Sequence, residues 1–160
     1  MHTGPSRREV LALATLAGVG GATLGYAQRQ RPPALADDLV RDFVGAAHGD
    51  FEKVKSMLAE HPGLLNATWD WGGGDFESAI GGAGHMGRAD IAEFLISKGA
   101  RFEVHVAAML GQLAAVKAIL EANPAARTSP GPHGITLVRH AEMGGERARP
   151  VLDYLKAEGP

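Results

Sequence analysis

Four stretches of the chain share one order of apolar and polar positions. They are "AAHGDFEKVKSML" (46–58), "AGHMGRADIAEFLI" (83–96), "AAMLGQLAAVKAIL" (107–120) and "HAEMGGERARPVLDYL" (140–155). Each passes from small residues through a glycine into apolar residues three or four apart. Phe51, Val54, Met57 and Leu58 hold these places in the first, Ala89, Ala92, Leu95 and Ile96 in the second, and Leu113, Val116, Ile119 and Leu120 in the third. That spacing is the stripe of a helix buried on one side. The small residues before each glycine predict a second, short helix that lies close to its neighbours. The glycine is then the bend between the two helices, where a left-handed backbone costs this residue little. Gly49, Gly87, Gly111 and Gly145 are expected at equivalent bends.

This periodicity also decides how to read "GGAGHMG" (81–87), where Gly82, Gly84 and Gly87 spell G-x-G-x-x-G. A dinucleotide loop needs a buried strand before its first glycine and an acid about twenty residues later, at the end of a second strand. "GGGDFESAI" is no such strand, and Glu103 leads into a repeat helix. Gly81, Gly82 and Gly84 are therefore expected inside a small-residue helix, with Gly87 as the bend.

The repeats resemble the ankyrin family, whose consensus runs roughly T-P-L-H-x-A-A-x-x-G-H-x-x-V-V-x-L-L-L-x-x-G-A. "HGITLVRHA" (133–141) keeps the opening, with Thr136 and Val138 in the Thr and Leu places. Ser78 and Ile80 take those places in the second repeat, whose end "FLISKGA" (94–100) fits closely. His105, followed by Ala107 and Ala108, stands where the family has its histidine. The resemblance implies an all-α solenoid of about four helix-turn-helix repeats, near 38–66, 76–100, 102–124 and 133–160. It also implies that His105 hydrogen-bonds loop backbone. The spacings depart from the family period of about 33. The anchors fall 38, 24 and 34 residues apart, so the fingers are irregular. The connection 61–77 is enlarged, and "GARFEVHVAA" (99–108) omits most of a finger.

Residues 1–27 read differently. Arg7 and Arg8 precede an uncharged apolar run, 10–25, and Gly25 and Ala27 flank a plausible cut before Gln28. This is the plan of an export signal. Ser6-Arg7-Arg8-Glu9-Val10-Leu11 resembles a twin-arginine signal, so a bacterial periplasmic or secreted protein is expected, without stable membrane insertion after cleavage. A polar, Pro-containing linker follows over 28–37, and the repeat domain spans 38–160.

Composition narrows the chemistry. The 160 residues carry a formal net charge of −2, which points to no nucleic-acid partner, and no cysteine, which removes disulfides and thiolate sites. The serines are Ser6, Ser56, Ser78, Ser97 and Ser129, none in G-x-S-x-G. Ser78 reads as a helix cap. Catalytic residues, cofactors and metal ligands are not expected: no H-x-x-x-H or H-E-x-x-H appears, and Asp75 and Glu77 read as solvated.

The distinctive insertion is "NATWDWGGGDFES" (66–78), which holds both tryptophans. Alternation places Trp69 and Trp71 on one side of an extended segment. They either anchor a partner or pack down on the helix 79–86. Trp69, Asp70, Trp71, Asp75 and the neighbouring His85 form the candidate binding surface, and His133 is expected at a solvated turn tip. The sequence thus suggests a monomeric, non-catalytic module that binds another protein outside the cytoplasmic membrane. The alternative is a small-ligand or metal-binding accessory using the Trp69/Trp71/His85 corner, and the remote one is a hydrolase.

Overall fold

Two helices per repeat arise because each stretch contains two unlike helices. One is small and buried on most sides, and the other is amphipathic. In the computed structural model, which describes residues 32–157, these are α1 (Asp37–Ala46) and α2 (Phe51–Glu60), α3 (Ala79–His85) and α4 (Ala89–Ser97), α5 (Val104–Met109) and α6 (Leu113–Ala122), and α7 (Leu137–Met143) and α8 (Arg149–Ala157). Residues 34–160 form one compact unit. The leader 1–27, with Arg7, Arg8 and Ala27, lies outside the described residues.

Three of the helix starts, those of α2, α3 and α7, are set by side-chain caps. Asp50 accepts from the Lys53 N–H at 3.0 Å, Ser78 from Gly81 at 3.1 Å and Thr136 from Arg139 at 3.2 Å. The outer helix of each pair buries only a narrow stripe: Val54 and Leu58 on α2, Ile91, Ala92 and Leu95 on α4, Val116 and Leu120 on α6, and Val151 and Leu155 on α8. Burying one such branched side chain contributes about 1.5–3 kcal/mol. Two or three per helix cannot order a lone pair of helices, so each pair depends on the next. The first helices touch in series, α1 with α3, α3 with α5 and α5 with α7, while α2 meets α4 and α6 meets α8. Among the described residues the fold is all-α apart from one short hairpin.

The bends follow the glycines, with one difference. Gly87, Gly111 and Gly145 have φ of 68°, 71° and 59°. A Cβ on Gly87 would also stand 2.6 Å from the Met143 carbonyl oxygen. Gly49 occupies the matching turn after α1 without a left-handed φ. There the Arg88 guanidinium donates to the Gly49 carbonyl, and Asp50 caps α2 at once.

The connections differ as the spacing implies. Between α2 and α3 a 3-10 turn, Pro62–Asn66, leads into β1 (Thr68–Asp70), which pairs antiparallel with β2 (Phe76–Ser78) in the register Thr68↔Ser78, Trp69↔Glu77, Asp70↔Phe76. Residues 100–103 carry no regular structure and lead straight into α5. Before α7 come 3-10 turns at Pro124–Arg127 and Pro132–Gly134. No helix among the described residues is long and apolar enough to cross a membrane.

Candidate functional site

The enlarged finger is built to hold a pose. Asp70 accepts from the Gly72 and Gly74 N–H groups at 2.8 and 3.1 Å, which closes the three-glycine tip as an Asx-type turn. The Trp71 N–H donates to the Asp75 carbonyl at 3.0 Å. Trp69 packs against the apolar core between the repeats. Trp71 reaches α1 instead: its ring lies 4.0 Å from where a Gly45 Cβ would stand, and 41% of the residue is exposed. The cluster under Trp69 includes Ala79, Ile80 and Ala83 of α3, but neither tryptophan is among the atoms nearest to a Cβ at Gly81, Gly82 or Gly84. Those positions are filled by other neighbours.

Directly across from Trp69, Glu77 is only 1% exposed. The expectation that Asp75 and Glu77 are both solvated is therefore corrected for Glu77, because β2 turns its side chain inward. Its Oε2 accepts from Trp71 Nε1 at 2.7 Å, and its Oε1 lies 2.8 Å from His85 Nε2. Burial alone would push this carboxyl up. The hydrogen bonds from His85 and Trp71, with the charges of His48 and His85, outweigh it and hold the carboxyl below its ordinary value, so Glu77 is ionised.

Three imidazoles converge on that carboxylate from separate elements. His48 follows α1, and its Nδ1 lies 3.1 and 3.2 Å from the Val44 and Gly45 carbonyls. Carbonyls only accept, so Nδ1 carries a proton, and in the neutral ring Nε2 presents a lone pair. That Nε2 is 3.2 Å from His85 Nε2 and 3.4 Å from Glu77 Oε2. His85, at the end of α3, has only 8% of its side chain exposed. His133 arrives from the turn before α7. Both its N–H at 2.8 Å and its Nδ1 at 2.7 Å donate to the Asp75 carboxylate, leaving Nε2 3.4 Å from Glu77 Oε1. His133 also holds a left-handed φ of 58°, uncommon outside glycine. The Asp75 pair retains it there, and the same bonds, the backbone one first, hold the Asp75 carboxyl below its ordinary value.

The glycines of α3 make this approach possible. A Cβ on Gly82 would come within 3.1 Å of the His48 ring and 3.6 Å of the Glu77 carboxyl carbon. Gly82 is thus the floor on which ring and carboxylate rest. One donor atom each from His48, Glu77, His85 and His133 lie within 4.8 Å of one another. The distances between them suit a cation, a shared proton or a polar ligand group.

Of the residues singled out from the sequence, the structure brings Trp71, Asp75 and His85 into this corner. It spends Asp70 on the finger tip and Trp69 on the core. Sequence reasoning missed His48, Glu77 and His133. Their partners lie on different elements, so no motif of fixed spacing joins them. The stacking register was the available signal: His48 and His85 stand one and two residues before the bends at Gly49 and Gly87. Residues in such near-equivalent places face each other in a stack. A scan of protein-family models finds no match to this chain, and a search of curated proteins finds none either.

Two further histidines lie deeper. His105 Nε2 sits 3.1 Å from the Ser129 carbonyl, a loop-backbone bond. His140 is fully buried. Its Nδ1 donates to the Thr136 carbonyl at 3.0 Å, and its Nε2 has no hydrogen-bond partner. Burial pushes the His140 imidazole down to about 4 and lowers that of His105.

Proposed function

We propose that the chain is a non-catalytic binding module of the ankyrin type. It acts outside the cytoplasmic membrane and holds a small polar ligand at the corner made by α1, α3, the finger and the turn before α7. One observation carries this reading. Three of the groups expected to face a partner, Trp71, Asp75 and His85, are spent on placing three imidazoles and one buried carboxylate together. A finger that served only as an outward anchor would have no need of a buried, ionised Glu77. Supporting the ankyrin assignment are the paired helices, the glycine bends and the capping Ser78 and Thr136 at matching places. Location outside the membrane rests on the residues of 1–27. Arg7→Lys/Arg8→Lys is expected to block export by a twin-arginine route, and undiminished export would argue for the general secretory route.

The experiment for the ligand reading is a thermal-shift series on the full chain against metal ions, small anions and metabolites. A rise in melting temperature that is lost in Glu77→Gln supports the corner. No response to any ligand class would count against it.

A second reading, a protein partner, is favoured by the exposed rings at the finger, Trp71 at 41% and Phe76 at 62%. It requires that capture of a specific partner be lost in Trp71→Ala/Phe76→Ala, with the helical content kept.

A further inference from the structure

Resting on that reading of the corner, we infer that its ligand is a divalent first-row cation of the imidazole-preferring class, typified by Zn2+, bound by His48 Nε2, His85 Nε2, His133 Nε2 and a Glu77 oxygen. Three lines of geometry converge on it.

The first is the spacing of the donors. Zinc bonds to imidazole nitrogen and carboxylate oxygen are about 2.0–2.2 Å, so neighbouring ligands of a tetrahedral ion stand roughly 3.3–3.5 Å apart. With Glu77 Oε1 as the ligand, the gaps are 3.2 Å between His48 and His85, 3.4 Å between His133 and Oε1, and 2.8 Å between His85 and Oε1. The other Glu77 oxygen, Oε2, stands 3.4 Å from His48, and one donor atom from each of the four residues lies within 4.8 Å of the others. Two of the three gaps lie at or just below the edge of such a tetrahedron. The third is short by the margin that a hydrogen bond in the cation-free arrangement imposes.

The second is the aim of the lone pairs. A metal-bound histidine ordinarily gives its other ring N–H to a carbonyl or carboxylate, which fixes the tautomer. His48 does so through Val44 and Gly45, and His133 through Asp75. Both rings therefore turn Nε2 lone pairs toward the buried carboxylate. Between His48 Nε2 and His85 Nε2 there is room for one proton, and the backbone has already placed the proton of His48 on Nδ1. The shared proton is that of His85. On binding, the cation takes its place: the Nε2 proton goes to solvent and Nδ1 takes one up from solvent, so the ring stays neutral and four lone-pair donors face one ion.

The third is the character of the set. Glu77 is a buried anion and the His85 side chain is nearly buried, so the inner half of the site is built into the fold, and His48 and His133 complete it from the more exposed side. Three nitrogens, one oxygen and no sulfur suit Zn2+, Cu2+, Ni2+ or Co2+ and are poor for Mg2+ and Ca2+, which take oxygen ligands.

The test is isothermal titration of the full chain with Zn2+, with Co2+ as an absorbing substitute and Mg2+ as the contrast. The expected result is one Zn2+ per chain, visible-region Co2+ bands of a four-coordinate site, and no Mg2+ binding. Loss of an outer-shell carboxylate costs roughly 10–100-fold in affinity, so Asp75→Asn should fall in that range. His85→Ala and Glu77→Gln should lose at least as much, and His61→Ala, an exposed histidine outside the corner, should lose nothing. Circular dichroism checks the fold of each variant. If Glu77→Gln unfolds, His133→Ala on the turn decides the matter. Absence of 1:1 binding, or binding unchanged in His85→Ala and His133→Ala alike, overturns the cation. An anion or metabolite that binds the corner while Zn2+ does not would sink this inference and leave the ligand reading standing. If neither binds, both fall.

Discussion

Two groups of histidines lie along the same row of first helices, and they live under opposite electrostatics. At the finger corner, His48, His85 and His133 surround an ionised Glu77, with Asp75 behind them. Deeper in, the His105 and His140 rings meet at a tilt of 55° with centres 4.8 Å apart, and no carboxylate hydrogen-bonds either among the described residues. The first group has negative charge to share and can accept a cation. The second was buried without it, so both imidazoles are driven toward the neutral form. What separates the proposed binding site from a packed core is thus not the histidines but the one carboxylate that β2 carries inward.

This contrast can be broken first with acid, in the presence of a chelator. His140 has a folded-state value of about 4 against an ordinary 6.5, because burial penalises its charged form. Between these values the unfolded chain binds the proton and the folded one does not. Stability from this group is therefore complete above about pH 6.5, is lost as pH falls toward 4, and then levels off. At about 1.36 kcal/mol per pH unit this amounts to at most about 3 kcal/mol. His105 acts in the same direction. The corner responds lower down: Glu77 is held below its ordinary 4.5, so its contribution is present above that value and is lost only below it. Urea titrations across pH 7 to 4 should show the early loss, and His140→Leu should flatten it.

Glu77→Leu comes next. It strips the half-exposed Trp71 of the acceptor for its ring N–H and the nearly buried His85 ring of its partner. Each buried donor left unpaired costs about 1–3 kcal/mol, so a loss near 2 kcal/mol is expected by chemical denaturation at pH 7, together with loss of ligand. Trp71→Phe removes a single charge-assisted bond and should cost about 1–2 kcal/mol, with the fold kept. The smallest effect is expected for Gly82→Ala. Its gain in helix propensity, about 1 kcal/mol, opposes the push of a Cβ 3.1 Å from the His48 ring. Melting temperature should move little, while affinity at the corner falls and the His105/His140 pair is untouched.

The helices were legible in the sequence because periodicity is a local property. Val54, Leu58, Ile91 and Leu95 announce their burial within ten residues of chain, and Ser78 announces a helix start. The bend glycines were legible for the same reason, Gly49 excepted, where Arg88 and Asp50 hold the turn without a left-handed backbone. The corner was not legible because its parts come from positions 48, 77, 85 and 133. Glu77 reads as one more acid beside Asp75 until the hairpin register sets it opposite Trp69 and turns it inward. His133 reads as a turn tip until Asp75, 58 residues earlier, is found gripping both its backbone and its ring. Such pairings are properties of the stack and its fingers, and no spacing rule along the chain contains them.

The central claim is that Glu77 turns one histidine group into a cation site while the other stays inert. X-ray absorption on the full chain with one equivalent of Zn2+ tests it most directly. The expected shell is about three imidazole nitrogens and one oxygen at roughly 2.0–2.2 Å, a pattern lost in His85→Ala and retained in His105→Ala. A shell of water oxygens without imidazole scattering, or a spectrum unchanged in His85→Ala, would contradict it.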